Sequence, residues 1–238
     1  APAAVLVAVV LVVAALVGLS RLVGPDGRRP DETTARRAPA SVAAHELYVR
    51  GTDQAGLRSA EGAREAVRQL RQAVALDSTY APAWAGLSRL YLVLGHTERR
   101  PGELFPLAGQ AADRALGLDS LLAEGYAARG LVRLFKDYDV AGAEADLSRS
   151  IALDAAEALP RQWLTALYIL TERPVLALEQ AELALESDPL SPSAHAEVAH
   201  ALVVNGRYAE ALERLERIAD VEPPLLRTPL IVAHALSL

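Results

Sequence analysis

The chain has 238 residues, a formal net charge of −6 and no cysteine. The missing thiols exclude disulfides, thiolate metal sites and cysteine nucleophiles. The interleaved charges argue against nucleic acid as the main partner, because phosphate binding needs a concentrated basic face. Hydrophobic residues make up 52%, yet Phe and Trp number only two each, so the apolar content is mostly Ala, Leu and Val. Ala and Leu favour helix, and the expected fold class is all-α. All basic residues but Lys136 are arginines, dispersed as a compositional bias rather than gathered into a stripe. Methionine is absent even at residue 1, and both ends fall in apolar runs, so a processed or partial piece of a longer protein is expected.

Residues 1–20 carry no charge and are dominated by Ala, Val and Leu. Twenty helical residues span roughly 30 Å, the thickness of a bilayer's hydrocarbon core, and exceed the apolar run of a secretory signal. Residues 1–23 are therefore expected to be a single transmembrane anchor in contact with lipid through residues 1–20. Gly24, Pro25, Gly27 and Pro30 break helix, and residues 24–41 read as a linker. Arg21, Arg28 and Arg29 suit the membrane interface beside acidic head groups. Arginines on this flank favour the cytoplasm by the positive-inside rule, but the rule needs the other flank for comparison.

From residue 42 to 238 one pattern recurs. Asp188-Pro189 and Glu222-Pro223 place their prolines 34 residues apart. Upstream, Ala155, Ser120 and Ser78 follow Asp154, Asp119 and Asp77 at spacings of 34, 35 and 42. A near-fixed period with helical filling marks a repeat architecture. The aspartates at helix ends recur at the repeat spacing, which points to turns rather than to a catalytic pair.

On these residues the chain resembles the tetratricopeptide repeat family, whose unit is a helix–turn–helix of about 34 residues. The second unit carries Trp84, Leu87, Ser88, Tyr91 and Gly95. The first keeps Ala66, Leu70 and Ala73, and the third Tyr126, Gly130, Ala143 and Leu147. The fourth keeps Leu164, Tyr168, Ala177, Ala184 and Pro189, and the fifth Gly206, Ala211, Leu215 and Pro223. A sixth begins near Leu226. The resemblance implies about five and a half helical hairpins stacked into a superhelix with a concave side. Ser78, Ser120 and Ala155 depart from the family's usual proline, and an insertion of about eight residues is expected as a loop at 96–105.

No signature of a metalloprotease, serine hydrolase, nucleotide-binding loop or dinucleotide fold is present. His195 and His200 are five apart, whereas zinc pairs prefer four on one helical face. No catalytic residue, metal or cofactor is expected, and the chain reads as a non-enzyme. The family's geometry assigns partner contact to Arg89, Gln162 and His200 in the groove, with Ala85, Ala127, Leu131, Ala166, Ala196 and Val203 between them. Arg99 and Arg100 in the insertion join this set. The basic and Asn constellation with which some members of the family clamp a terminal carboxylate is not evident.

Two functions compete. One is a non-catalytic membrane scaffold that binds and stabilises protein partners as an accessory subunit of a larger complex. The other is the extracytoplasmic sensor region of a membrane Ser/Thr kinase or winged-helix regulator whose effector domain precedes the helix. For the second, the chain resembles the tail of such bacterial proteins through its apolar segment, a linker beginning near Leu47-Tyr48-Val49-Arg50-Gly51 and repeats ending Ala-Leu-Asp-Ser. The expected location is a single-pass membrane protein with an extracytoplasmic repeat domain.

Overall fold

The computed structural model describes residues 41–55 and 60–216. The expected anchor, all of the linker but Ser41, the interfacial residues Arg21, Arg28 and Arg29, and the sixth unit lie outside these residues. Among the described residues there is no strand, and no helix is long and apolar enough to cross a membrane.

The chain divides into two compact units, meeting in sequence at Leu153 and Asp154. The described part of the first contains α1 (Val42–Ala55), α2 (Ala60–Leu76), α3 (Ala81–Thr97), α4 (Pro101–Leu118), α5 (Ala123–Val132) and α6 (Val140–Leu153). One π-helical turn, Arg133–Asp137, prolongs α5. The second contains α7 (Ala158–Leu170), α8 (Pro174–Ser187), α9 (Pro192–Val204) and α10 (Tyr208–Glu216). Consecutive helices pair as hairpins, three in the first unit and two in the second.

Each second helix of a hairpin turns the same apolar face inward. Ala66, Ala108, Ala143, Ala177 and Ala211 are fully buried, one per hairpin, and Leu70, Ala112, Leu147, Ala181 and Leu215 lie four residues on, also fully buried. Four residues bring a helix back to the same face. A further turn on stand Ala73, Ala115, Ser150 and Ala184, buried again. The one hydroxyl in this row, that of Ser150, donates to the Ala123 carbonyl at 2.8 Å, so its burial is compensated.

The 42-residue spacing has a different cause from the one expected. No long loop occupies 96–105; α3 runs to Thr97, α4 starts at Pro101, and only Glu98, Arg99 and Arg100 separate them. Relative to the second unit's hairpins, α3 is four residues longer than α7 or α9, and α4 begins four residues earlier ahead of its buried alanine. The eight residues are thus absorbed as about one extra turn on each helix. They are held by packing, since His96 meets Phe105 and Phe135 edge-on, both at 4.9 Å between ring centres. Likewise Leu47 to Gly51, read as the start of a linker, belong to α1, where Tyr48 packs edge-on against Tyr80 at 5.3 Å. Helix wins there because Tyr48 has a core to enter.

Trp84 acts as a wedge between hairpins. It packs against both the cluster around Leu70, Leu87 and Leu90 and the cluster of Ala81, Ala85, Ala115 and Leu122. Its indole N–H donates to the Ser78 carbonyl at 3.1 Å. The helix-end aspartates act as turn formers: Asp77, Asp119 and Asp154 each accept, through Oδ1, the backbone N–H two residues on, at 2.9–3.0 Å.

Four hairpins close through one left-handed residue each: Arg99, Tyr138, Glu172 and Gly206, with φ between 56° and 73°. In three of them the next N–H returns to the carbonyl five residues back (Arg100 to Gly95, Arg173 to Tyr168, Arg207 to Leu202) at 2.8–2.9 Å. This is the Schellman closure that ends a helix. In the remaining hairpin the π-helical turn widens the closure, and Asp139 donates to Arg133 at 2.9 Å. An L-residue with a Cβ costs roughly 1 kcal/mol there, a cost glycine avoids. Glu172→Gly should raise stability by up to about 1 kcal/mol and Gly206→Ala should lower it by about the same amount. Urea unfolding midpoints at unchanged slope would check both.

Candidate functional site

In the second unit, α7 and α9 are the first helices of consecutive hairpins, and their facing sides form a slot. The start of α9 is fixed by Ser191, whose side chain accepts the Ala194 N–H at 3.4 Å and shares a 2.9 Å hydrogen bond with Ser193. Its end is fixed by Asn205, whose side-chain amide donates to the Pro174 carbonyl at the start of α8, at 2.7 Å. On α7, the Thr165 hydroxyl donates back to the Arg161 carbonyl at 3.0 Å. These bonds hold the two walls.

The slot is lined by Gln162, Trp163, Thr165, Ala166 and Ile169 from α7 and by Glu197 and His200 from α9, and it encloses about 20 Å³. Two of the residues assigned to the groove, Gln162 and His200, meet here, with Ala166 between them. Glu197 is only 6% exposed, and its Oε2 has no hydrogen-bond partner. Burial pushes its carboxyl up to about 8, because a low-dielectric setting penalises the charged form. Burial pushes the His200 imidazole down for the same reason. Near neutral pH both groups are therefore mostly uncharged.

Chemically the slot offers recognition: a carboxyl, an amide and an imidazole above an indole and two aliphatic side chains. Among the described residues no three metal-binding side chains come together. Glu197 escaped the sequence reading, which described the groove as mostly apolar. Its signal was its position three residues before His200, which puts the two on one face of α9.

The remaining assigned residues lie in the first unit. Arg89, on α3, is half-buried and its Nε has no partner. Arg99 is the exposed left-handed turn residue, and Arg100 beside it is exposed and paired with Glu98 and Glu103. Ala85, Ala127 and Leu131, expected between the groove contacts, are buried instead. Ala196 and Val203 are half-buried on α9. His195 bonds through Nε2 to the Pro189 carbonyl at 3.0 Å, at the start of its hairpin.

The two slot groups give stability opposite pH slopes. Glu197 binds its proton more tightly folded than unfolded, so its contribution falls as pH rises from the ordinary carboxylate value toward about 8. His200 binds its proton less tightly folded, so its contribution is lost as pH falls below about 6.5. Above pH 6.5 the Glu197 slope stands alone. Glu197→Gln should therefore stabilise the protein at pH 8, by as much as about 4 kcal/mol, with the difference closing toward pH 4.5. Urea unfolding of both proteins at pH 4.5, 6.5 and 8 measures it.

No family model matches the sequence, and no curated protein matches it. Solved structures do. A thermophilic tetratricopeptide protein of Thermus thermophilus, TTC0263, superposes with a TM-score of 0.65 at 17% identity, over 82% of this chain and 100% of its own. PilW, described as a widely conserved type IV pilus biogenesis factor, gives 0.61 at 15% identity, over 83% and 91%. Pseudomonas aeruginosa PilF gives 0.58 at 20% identity, over 82% and 88%. At such identities the likeness is one of fold, and with the repeated hairpins and their buried alanine register it shows that this chain has the helical fold of tetratricopeptide-repeat proteins.

Proposed function

We propose that the chain is a non-catalytic scaffold that binds protein partners through its first helices and is tethered to a membrane by residues 1–20. The observation that carries the binding role is the slot between α7 and α9. First helices of consecutive hairpins supply its walls, and Glu197 holds polar capacity there that the fold leaves unused. Repeat arrays use such surfaces for extended segments of other proteins. The tether would keep the array near its target and raise the effective concentration without new contacts. In this reading the repeats lie on the extracytoplasmic side and serve as an accessory subunit of a membrane complex. The sensor alternative, the outer half of a kinase or winged-helix regulator, shares the same binding face and differs in what precedes residue 1.

A photo-crosslinking side chain at Gln162 should capture protein in native membranes, and one at Glu182, exposed on α8, should capture far less. Equal capture at both positions, or none at Gln162, would remove the scaffold reading. Deleting residues 1–20 should release the chain from carbonate-washed membranes. Because the chain has no cysteine, a single Leu190→Cys, at a position 88% exposed, reports the side of the membrane through its labelling by an impermeant maleimide.

A further inference from the structure

We infer that the slot between α7 and α9 receives a lysine side chain of a partner protein, whose ammonium on arrival draws the Glu197 carboxyl into its charged form, with the stem along Trp163, Ala166 and Ile169. The inference deepens the proposed binding role and rests on it. Four observations converge. Glu197 is buried, yet its Oε2 has no partner, and a buried polar group left unpaired costs stability unless something else satisfies it. Among the described residues no cation pairs with Oε2, and Arg161 on the facing helix donates through Nη1 to Gln180, at 3.3 Å.

Acidic residues outnumber basic ones across the described part of this unit. Residues 154–216 hold four arginines against eleven aspartates and glutamates. Such a surface draws cations toward it.

The slot offers about 20 Å³ to a small head group, and of the two cationic side chains lysine carries the more compact head on an unbranched stem. An ammonium brings three donors and no acceptor. Glu197, the Gln162 carbonyl oxygen and the ring of His200, held neutral by burial, offer acceptors on the slot's wall. The apolar remainder accommodates the stem, since lysine buries its methylenes along apolar surface, and the Trp163 indole favours a nearby cation.

The test uses the full chain in nanodiscs and pools of acetylated, amidated nine-residue peptides. Each pool has randomised flanks and a fixed central Lys, Arg or norleucine; a fourth pool has central norleucine and a free N-terminus. The wild type should bind the Lys pool at least tenfold more tightly than the norleucine and Arg pools. Glu197→Gln should erase that preference by weakening the Lys pool at least tenfold more than the norleucine pool. Equal binding of Lys and norleucine pools, a preference for Arg or for the free N-terminus, or a Lys preference that survives Glu197→Gln would overturn the lysine assignment and leave the binding role standing. Failure of every pool to bind the wild type would overturn both.

Discussion

The described fold depends on how closely two helices can approach within a hairpin. Ala66, Ala108, Ala143, Ala177 and Ala211 stand at that contact, fully buried, and no larger side chain would let the backbones come as near. Glycines on the opposing helices show how little room is left. A Cβ on Gly51 would sit 3.2 Å from the Leu70 side chain, and one on Gly130 3.2 Å from Leu147 and 3.3 Å from the Ala143 carbonyl. With the gap set by small residues, larger ones such as Trp84 and Leu122 fill the space between hairpins. The scarcity of aromatic residues follows, because few positions have room for them.

Much of this was legible in the sequence because the repeat spacing and the small-residue positions encode the same geometry. Ala66, Leu70 and Ala73, then Ala143 and Leu147, then Ala177 and Ala184, were readable as one face of one helix type. The counterparts in the second hairpin, Ala108, Ala112 and Ala115, were obscured by the expected loop at 96–105. Arg99, Arg100 and Pro101 look like loop residues, but they are a tight closure followed by a helix start, where proline's missing N–H costs nothing. Local composition was misleading there because the anchoring contacts, His96 with Phe105 and Phe135, are distant in sequence.

The slot was half legible. Gln162 and His200 were singled out from the family's register for first helices, although Ala85, Ala127 and Leu131, placed in the groove by the same register, are buried. Glu197 was not singled out, because a glutamate in a helix is read as solvent-facing by default. It is buried because α9 has neighbours on more than one side: Val198, Ala199, Ala201 and Leu202 are buried as well as Glu197. Once α9 is enclosed to that extent, helical periodicity no longer separates an inward residue from an outward one. A carboxyl retained there costs local stability, because its burial is not matched by a partner for Oε2.

The extra turn on each of α3 and α4 bears on how such arrays change length. Each helix repeats its face every 3.6 residues, so four added residues over-rotate by only about 40°, whereas two would carry the buried face to the far side. Added in pairs of four, one on each side of a closure made by nearby backbone atoms, they leave the Ala108 register intact and the next repeat undisturbed. Insertions and deletions within a hairpin are thereby filtered into whole-turn steps shared between both arms, and the sequences of such arrays should drift in length by jumps rather than residue by residue.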